Sequence, residues 1–466
     1  MLAQIIDSLN SVIRNWFLIA ALLGVGIFYT AYTKGVQFRK LGHAFKQTFG
    51  GMFKKENDGI SAFQALSVAI AAQVGTGNVA GTATAIMVGG PGAIFWMWIS
   101  AILGMSTIFA EACLAQKYRE KSDDGYVGGP SYYMKNGIKN KKLGMTLAKI
   151  FSVFIVLALG FFGNMTQSNS IATSVHEAFD SIPLIVVGIA VAIIAALVFI
   201  GGIKRIANFA QLVVPIMAVI YVVFSIIILI KFRANLGPAL KTIFQAAFTP
   251  AAAAGGALGF GIKQAVVMGV ARGLFSNEAG MGSTPHAHAT AQVDHPVEQG
   301  YTAMVGVFID TIIVCTATAL IILSTKAHEY GLDGALVTQK AFELGFGNLG
   351  KTLLAISLTF FAFTTIIGWY YFGETNIKFL FGKKGLLPYR IIVIFFIIWG
   401  STREIALVWN MSDLFNSLMV IPNVIALVLL HKDVKTMQHD YEVLKNSHMK
   451  DEDYHWQEDQ EFEESL

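Results

Sequence analysis

Two apolar stretches carry residue types that suit chemistry better than they suit a membrane helix. The first is Gln73–Gly81, "QVGTGNVAG", with Thr76 and Asn78 set among three glycines. The second is Ala271–Pro285, "ARGLFSNEAGMGSTP", where Gly273, Gly280 and Gly282 surround Ser276, Asn277 and Glu278. Glycine costs about 1 kcal/mol in a helix interior relative to alanine. Pro285 cannot continue a helix without losing a hydrogen bond. Both stretches therefore read as helix breaks. A break exposes free N–H groups on one half-helix, which attract anions, and free carbonyls on the other, which attract cations. Glycines that merely allow close helix packing are the competing explanation. It weakens when two such segments occupy matching places.

Charged residues at membrane depth are costly and are candidates for function. Asp310 sits near the middle of "VGVFIDTIIVC", and Glu278 lies in the second break. Each is a candidate for an ion site or a gate, with pairing to Arg272 as the structural alternative for Asp310. Arg272 and Glu111 read as structural. His286 and His288, two apart, would not share a helix face and do not suggest a metal site. Cys113 and Cys315 fall in apolar segments and form neither a disulfide framework nor a metal spacing. No nucleophile–base set, nucleotide loop or metal cluster is evident, which disfavours an enzyme or an ATP-driven pump. No loop reads as a channel filter.

The elements that must position these residues are membrane spans. The chain is 55% hydrophobic and 14% charged, with a mean hydropathy of +0.58, against about 25% charged in soluble domains. A window of about 20 apolar residues gives about eleven spans. They lie near 13–33, 60–88, 92–116, 147–174, 182–201, 208–231, 258–290, 299–324, 349–372, 388–406 and 411–431. The N-terminus does not read as a cleavable signal peptide. Basic loops 34–59 and 117–146, with Lys204, Arg205, Lys378, Lys383 and Lys384, fall on one side, which the positive-inside rule makes cytoplasmic. The N-terminus is then outside and the C-terminus inside, with Lys231, Arg233 and Lys241 as exceptions. Residues 1–59 hold an extra helix and a basic loop. Residues 60–232 and 233–431 hold five spans each, and each set opens with a broken one. Five is odd, so the sets run in opposite senses, as an inverted repeat. Broken helices in matching positions point to the binding site of a secondary transporter. From His431 onward, four lysines face eleven Asp and Glu, a net charge of about −7. This tail reads as solvated and partly helical, with regulation or partner binding as the other reading.

The stretches "VGTGNVAGTATAIMVGGPGAIFWMWISAILGM", "AEACLAQKYRE", "GGPSYYMKNG", "GNMTQSNSIA" and "ARGLFSNEAGMGSTPHAHA" resemble the alanine/glycine:cation symporter family over about residues 15–430. The resemblance implies an all-α integral membrane protein with the leucine-transporter fold, a five-plus-five inverted repeat preceded by one extra helix. It implies that the substrate carboxylate meets Thr76 and Gly77, with Asn78 beside them, and that Gln167 is a pocket amide. It implies a sodium ion between the carbonyls of Ala71 and Val74 and the hydroxyls of Thr364 and Thr365, an oxygen-only set suited to a hard cation. Ser276 and Asn277 join the candidate substrate contacts. Trp369, one turn beyond Thr365, would wall the pocket with Phe275 and Ile366 and favour a small side chain.

The expected function is sodium-coupled uptake of a small neutral amino acid, alanine or glycine foremost, by alternating access. A proton-coupled symporter, or one preferring glutamine or serine, is the alternative. The expected setting is the cell membrane, with no cofactor beyond the coupling sodium ion, no nucleic acid and no obligatory protein partner.

Overall fold

The computed structural model describes residues 18–50, 59–122, 125–199, 201–249 and 261–446. Expectations for residues 13–17, for Lys54 and Lys55, for the start of the seventh span and for the tail beyond 446 lie outside the described residues.

The described chain is helical apart from two short strand pairs. In order, α1 is Ile19–Tyr32, α2 Leu41–Gly50, α3 Ala62–Gln73, α4 Thr82–Gly89 and α5 Ala93–Lys117. Then come α6 Lys141–Ile155, α7 Asn164–Ala178, α8 Leu184–Phe199, α9 Gly202–Lys231 and α10 Arg233–Phe248. The second half holds α11 Ile262–Asn277, α12 Pro296–Val307, α13 Thr316–Thr325, α14 Ala335–Phe346, α15 Asn348–Phe381, α16 Leu386–Gly400, α17 Ile405–Leu429 and α18 His431–Asn446. Three π-helical segments, Gly77–Gly81, Val156–Gly163 and Phe308–Cys315, lead into α4, α7 and α13. Such segments often mark functional sites, because the widened turn re-aims side chains.

Among the described residues, six helices are long and apolar enough to cross a membrane: Ala93–Lys117, Lys141–Ala178, Gly202–Lys231, Pro296–Thr325, Asn348–Gly400 and Ala406–Leu429. The stretches read as spans at 60–88 and 258–290 are absent from this set for a physical reason. Neither is a continuous helix, and the longest unbroken pieces are Ala62–Gln73 and Ile262–Asn277.

α3 starts where Ser61 builds a capping box: Gln64 N–H donates to Ser61 Oγ at 3.2 Å, and Ser61 N–H donates to Gln64 Oε1 at 3.0 Å. Its small residues let α15 approach closely, and a Cβ on Gly368 would lie 3.1 Å from that of Ala72. On the rim, α8 and α9 expose Ile189, Ile193, Leu197, Leu212, Ile216 and Ile227, as lipid-facing surfaces should. Ile60–Ser61, just before α3, pairs in parallel with Ala291–Gln292, which follows the second break.

The first part of the tail is not simply solvated. α18 buries Val434 and Met437, and Lys117 Nζ meets Asp433 Oδ1 at 2.8 Å. Gln438 Nε2 donates to the Thr33 carbonyl at 3.3 Å, and the Tyr441 ring lies 5.1 Å from that of His295.

Candidate functional site

α3 ends at Gln73, and Val74 and Gly75 leave the helix before the chain resumes a helical course at Thr76. Side chains take the N–H groups freed there. Gly75 N–H donates to Asn78 Oδ1 at 2.9 Å, and Thr76 N–H donates to Gln167 Oε1 at 3.1 Å. A Cβ at Gly75 would collide with the Thr365 hydroxyl and lie 3.1 Å from Gln167 Oε1. At Gly77 a Cβ would sit 3.0 Å from Ser276 Cα, so the two broken backbones touch only because this residue is glycine.

The second break follows Asn277. Glu278 adopts a left-handed φ of 59°, and Gly280 and Gly282 follow at 84° and 81°. Such a backbone is costly for a non-glycine residue and persists where its surroundings hold it. Here the Asn277 carbonyl accepts from Gln73 Nε2 at 2.7 Å. Gly280 N–H donates to Glu111 Oε2 at 3.0 Å, and the Gly280 carbonyl accepts from Asn423 Nδ2 at 2.9 Å. Asn423 Nδ2 also donates to Glu111 Oε1 at 2.6 Å. Glu111 thus serves as a buried backbone holder, consistent with its structural reading.

Asp310 bridges the breaks from the π-helical segment. Its carboxylate accepts from Asn78 Nδ2 at 2.6 Å, from Ser276 Oγ at 2.9 Å and from Thr311 Oγ1 at 2.7 Å. It does not pair with Arg272, and the pairing considered from the sequence is corrected. The Arg272 guanidinium forks onto Asp413 at 2.9 and 2.7 Å, and the Trp409 ring lies 4.6 Å from it. A bidentate carboxylate satisfies the planar fork. Asn277 Nδ2 donates to Thr311 Oγ1 at 3.1 Å, so Ser276 and Asn277 both reach the segment that carries Asp310.

On α15, Thr365 Oγ1 contacts the Ala71 carbonyl at 2.9 Å and the Phe361 carbonyl at 3.1 Å. Thr364 Oγ1 donates to the same Phe361 carbonyl at 2.9 Å and lies 3.7 Å from Met217 Sδ. Only one of the two hydroxyls therefore reaches the first break. Val74 is fully buried within that break. Trp369 Nε1 donates to the Glu278 carboxylate, which also accepts from Ser283 Oγ. Phe275 meets Trp369 edge-on with centroids 5.8 Å apart and lies 4.8 Å from Trp409. Ile366 is fully buried three residues before Trp369, on the same side of α15.

Gln73, Thr311, Asn423, Trp409 and Asp413 were not singled out from the sequence. Gln73 gave a signal, an amide opening the first glycine-rich stretch. Three buried polar atoms at the first break find no hydrogen-bond partner among the described residues: Gln73 Oε1, Thr76 Oγ1 and Gln167 Nε2.

The model of the sodium:alanine symporter family matches residues 1–455. The chain belongs to this family. One family relative, the sodium/alanine symporter AgcS of Methanococcus maripaludis, is 42% identical over 433 residues, covering 92% of this chain and 94% of that protein. Another, the probable sodium/glutamine symporter GlnT of Bacillus subtilis, is 42% identical over 443 residues, covering 95% and 91%. The solved structure of MhsT in complex with L-phenylalanine aligns with a TM-score of 0.58 at 13% identity, over 81% of this chain and 90% of that one. At that identity the likeness speaks for the fold alone, which is the leucine-transporter fold. As a sodium:alanine symporter family member with multiple apolar helices, the chain is a multi-pass membrane transporter rather than an enzyme.

Proposed function

We propose that this transporter couples inward sodium movement to uptake of a small neutral amino acid, alanine or glycine, by alternating access. The observation that carries the reading is the pair of unsatisfied donors at the first break, the Thr76 hydroxyl and the Gln167 amide, held together by the Thr76 N–H bond to Gln167 Oε1. Buried donors left unpaired cost about 1–3 kcal/mol each, and a substrate carboxylate between them would satisfy both. Gly77 opens the second half-helix, whose positive end favours that charge, with Asn78 beside it. The small pocket is walled by Phe275, Ile366 and Trp369, with Ser276 and Asn277 along the second break. Sodium is held by the Ala71 and Val74 carbonyls with Thr365, and Thr364 joins by turning its hydroxyl away from Phe361. Asp310 and Glu278 form an ion relay or gate beside the substrate.

In this reading eleven spans comprise one extra helix and two inverted five-helix sets, 60–232 and 233–431. The N-terminus is outside, and the C-terminal tail from 432 is in the cytoplasm. The name of GlnT supports a second reading with a more polar substrate, since the free Gln167 amide would serve a side-chain carbonyl equally well. Uptake of radiolabelled L-alanine into proteoliposomes, with inward sodium, inward proton or no gradient and with glycine, serine and glutamine as competitors, tests both. Sodium-driven accumulation blocked by glycine supports the first reading. Sodium-driven glutamine uptake without alanine uptake supports the second. No driven uptake of any of these sinks both.

A further inference from the structure

A groove of about 370 Å³ opens on the rim of the helical bundle. Phe45 and Phe49 of α2, Ile70 of α3, Val214 and Val222 of α9 and Ile309 of the π-helical segment wall it. Ser67 is the polar residue of the lining, and its hydroxyl is committed to the Phe63 carbonyl at 2.8 Å. The lining therefore has little to offer water. The outer lip is open: Val219 is 62% exposed, Val223 46% and Ile313 37%. In a membrane protein, hydrocarbon from the bilayer can reach such a lip directly.

Two of the helices that wall the groove also carry basic residues. Lys204 and Arg205, both exposed, occupy the first turn of α9, and Arg205 is nine residues before the lining residue Val214. At 1.5 Å per residue that is about 13 Å along the helix, close to the roughly 15 Å hydrocarbon depth of one leaflet. Gln64 Nε2 donates to Asn208 Oδ1 at 3.1 Å, which ties the second turn of α9 to the start of α3. Lys46, also exposed, stands between the two lining phenylalanines of α2.

We propose that this groove holds an acyl chain of an anionic phospholipid of the bilayer, whose headgroup is gathered by Lys204, Arg205 and Lys46. The bound chain wedges between α3 and α9. It lies against Ile70 and Ile309, the chain neighbours of Ala71 and Asp310, so lipid occupancy bears on the elements that frame the breaks.

The test is native mass spectrometry of the full-length protein in detergent, titrated with phosphatidylglycerol or phosphatidylcholine. The first phosphatidylglycerol is expected to bind more tightly than phosphatidylcholine. Ala218→Phe, which fills the groove from α9, is expected to abolish that first tight binding. The double change Lys204→Gln and Arg205→Gln leaves the apolar wall intact and is expected to weaken phosphatidylglycerol by about fivefold per cation, with phosphatidylcholine unchanged. Equal binding of the two lipids by the unaltered protein overturns the proposal. So does unaltered phosphatidylglycerol binding by a folded Ala218→Phe chain. If that variant does not fold, the charge variant decides, and wild-type affinity there is equally fatal.

Discussion

The hydroxyl of Thr365 lies 2.9 Å from the carbonyl of Ala71 and joins the middle of α15 to the last turn before the first break. Thr365→Val keeps the shape and removes the oxygen. The half-saturating sodium concentration for uptake is expected to rise about tenfold, the effect of one hydrogen-bond-sized contribution of about 1.4 kcal/mol. Thr365→Ser should stay near the parent value. An unchanged sodium curve for the valine variant would remove Thr365 from the ion site.

Gly77 is the point where the two breaks touch. Any side chain there meets Ser276 Cα at 3.0 Å and Phe275 Cδ1 at 3.3 Å, and backbone yields less readily than a side-chain tip. Gly77→Val is expected to abolish amino-acid uptake in a chain that still inserts and purifies. Saturable uptake by this variant would contradict the site.

Gln167 is expected to contribute through its free amide. Gln167→Ala leaves the Thr76 N–H without its acceptor and removes a substrate donor, so amino-acid affinity should fall by about tenfold or more. Equilibrium binding to the purified protein measures this directly, and parental affinity would place the substrate elsewhere.

Arg272 and Asp413 form a buried pair, with side chains 5% and 8% exposed. Breaking such a pair on one side typically costs about 3–5 kcal/mol, whereas replacing both partners with apolar residues is far milder. Asp413→Asn should therefore lower the thermal unfolding midpoint in detergent clearly more than the combined change Arg272→Met and Asp413→Leu. The reverse order would show that the pair is not the stabilising unit.

Asp310 gathers Asn78, Ser276 and Thr311 at one carboxylate. Asp310→Asn keeps the size but cannot accept all three donors on equal terms. Driven uptake is expected to drop more than tenfold, roughly one lost charge-assisted hydrogen bond of about 1.5–3 kcal/mol. Its dependence on the sodium and proton gradients should change as well. Full accumulation with an unaltered ion dependence would exclude Asp310 from coupling.

The breaks were legible because their signal is local. Glycine and polar residues inside an apolar run have few structural excuses, and the family resemblance, carried by further motifs as well, implied roles for Thr76, Gln167 and Thr365. What escaped was set by distance along the chain. Asp413 is 141 residues from Arg272, and Asn423 is 312 from Glu111, so no window on the sequence contains either pair. The π-helical segments escaped because hydropathy is blind to a one-residue change in helical winding. The docking of the tail's first part escaped because its charge dominated. Val434, Met437 and Tyr441 form an apolar stripe spaced three and four residues apart, and that stripe was the available signal.

The two-residue pairing of Ile60–Ser61 with Ala291–Gln292 has a mechanical meaning for the alternating access proposed above. It fastens the entry of the first broken helix to the chain leaving the second. Tilting α3 outward must then either drag the segment beyond Glu278 with it or shear this small patch of sheet. The two broken elements are fastened together through backbone at this end of the molecule, whereas at the other Gly89 of α4 meets Met268 of α11 through side-chain packing. A conformational cycle that opened one of them alone would have to break that fastening first.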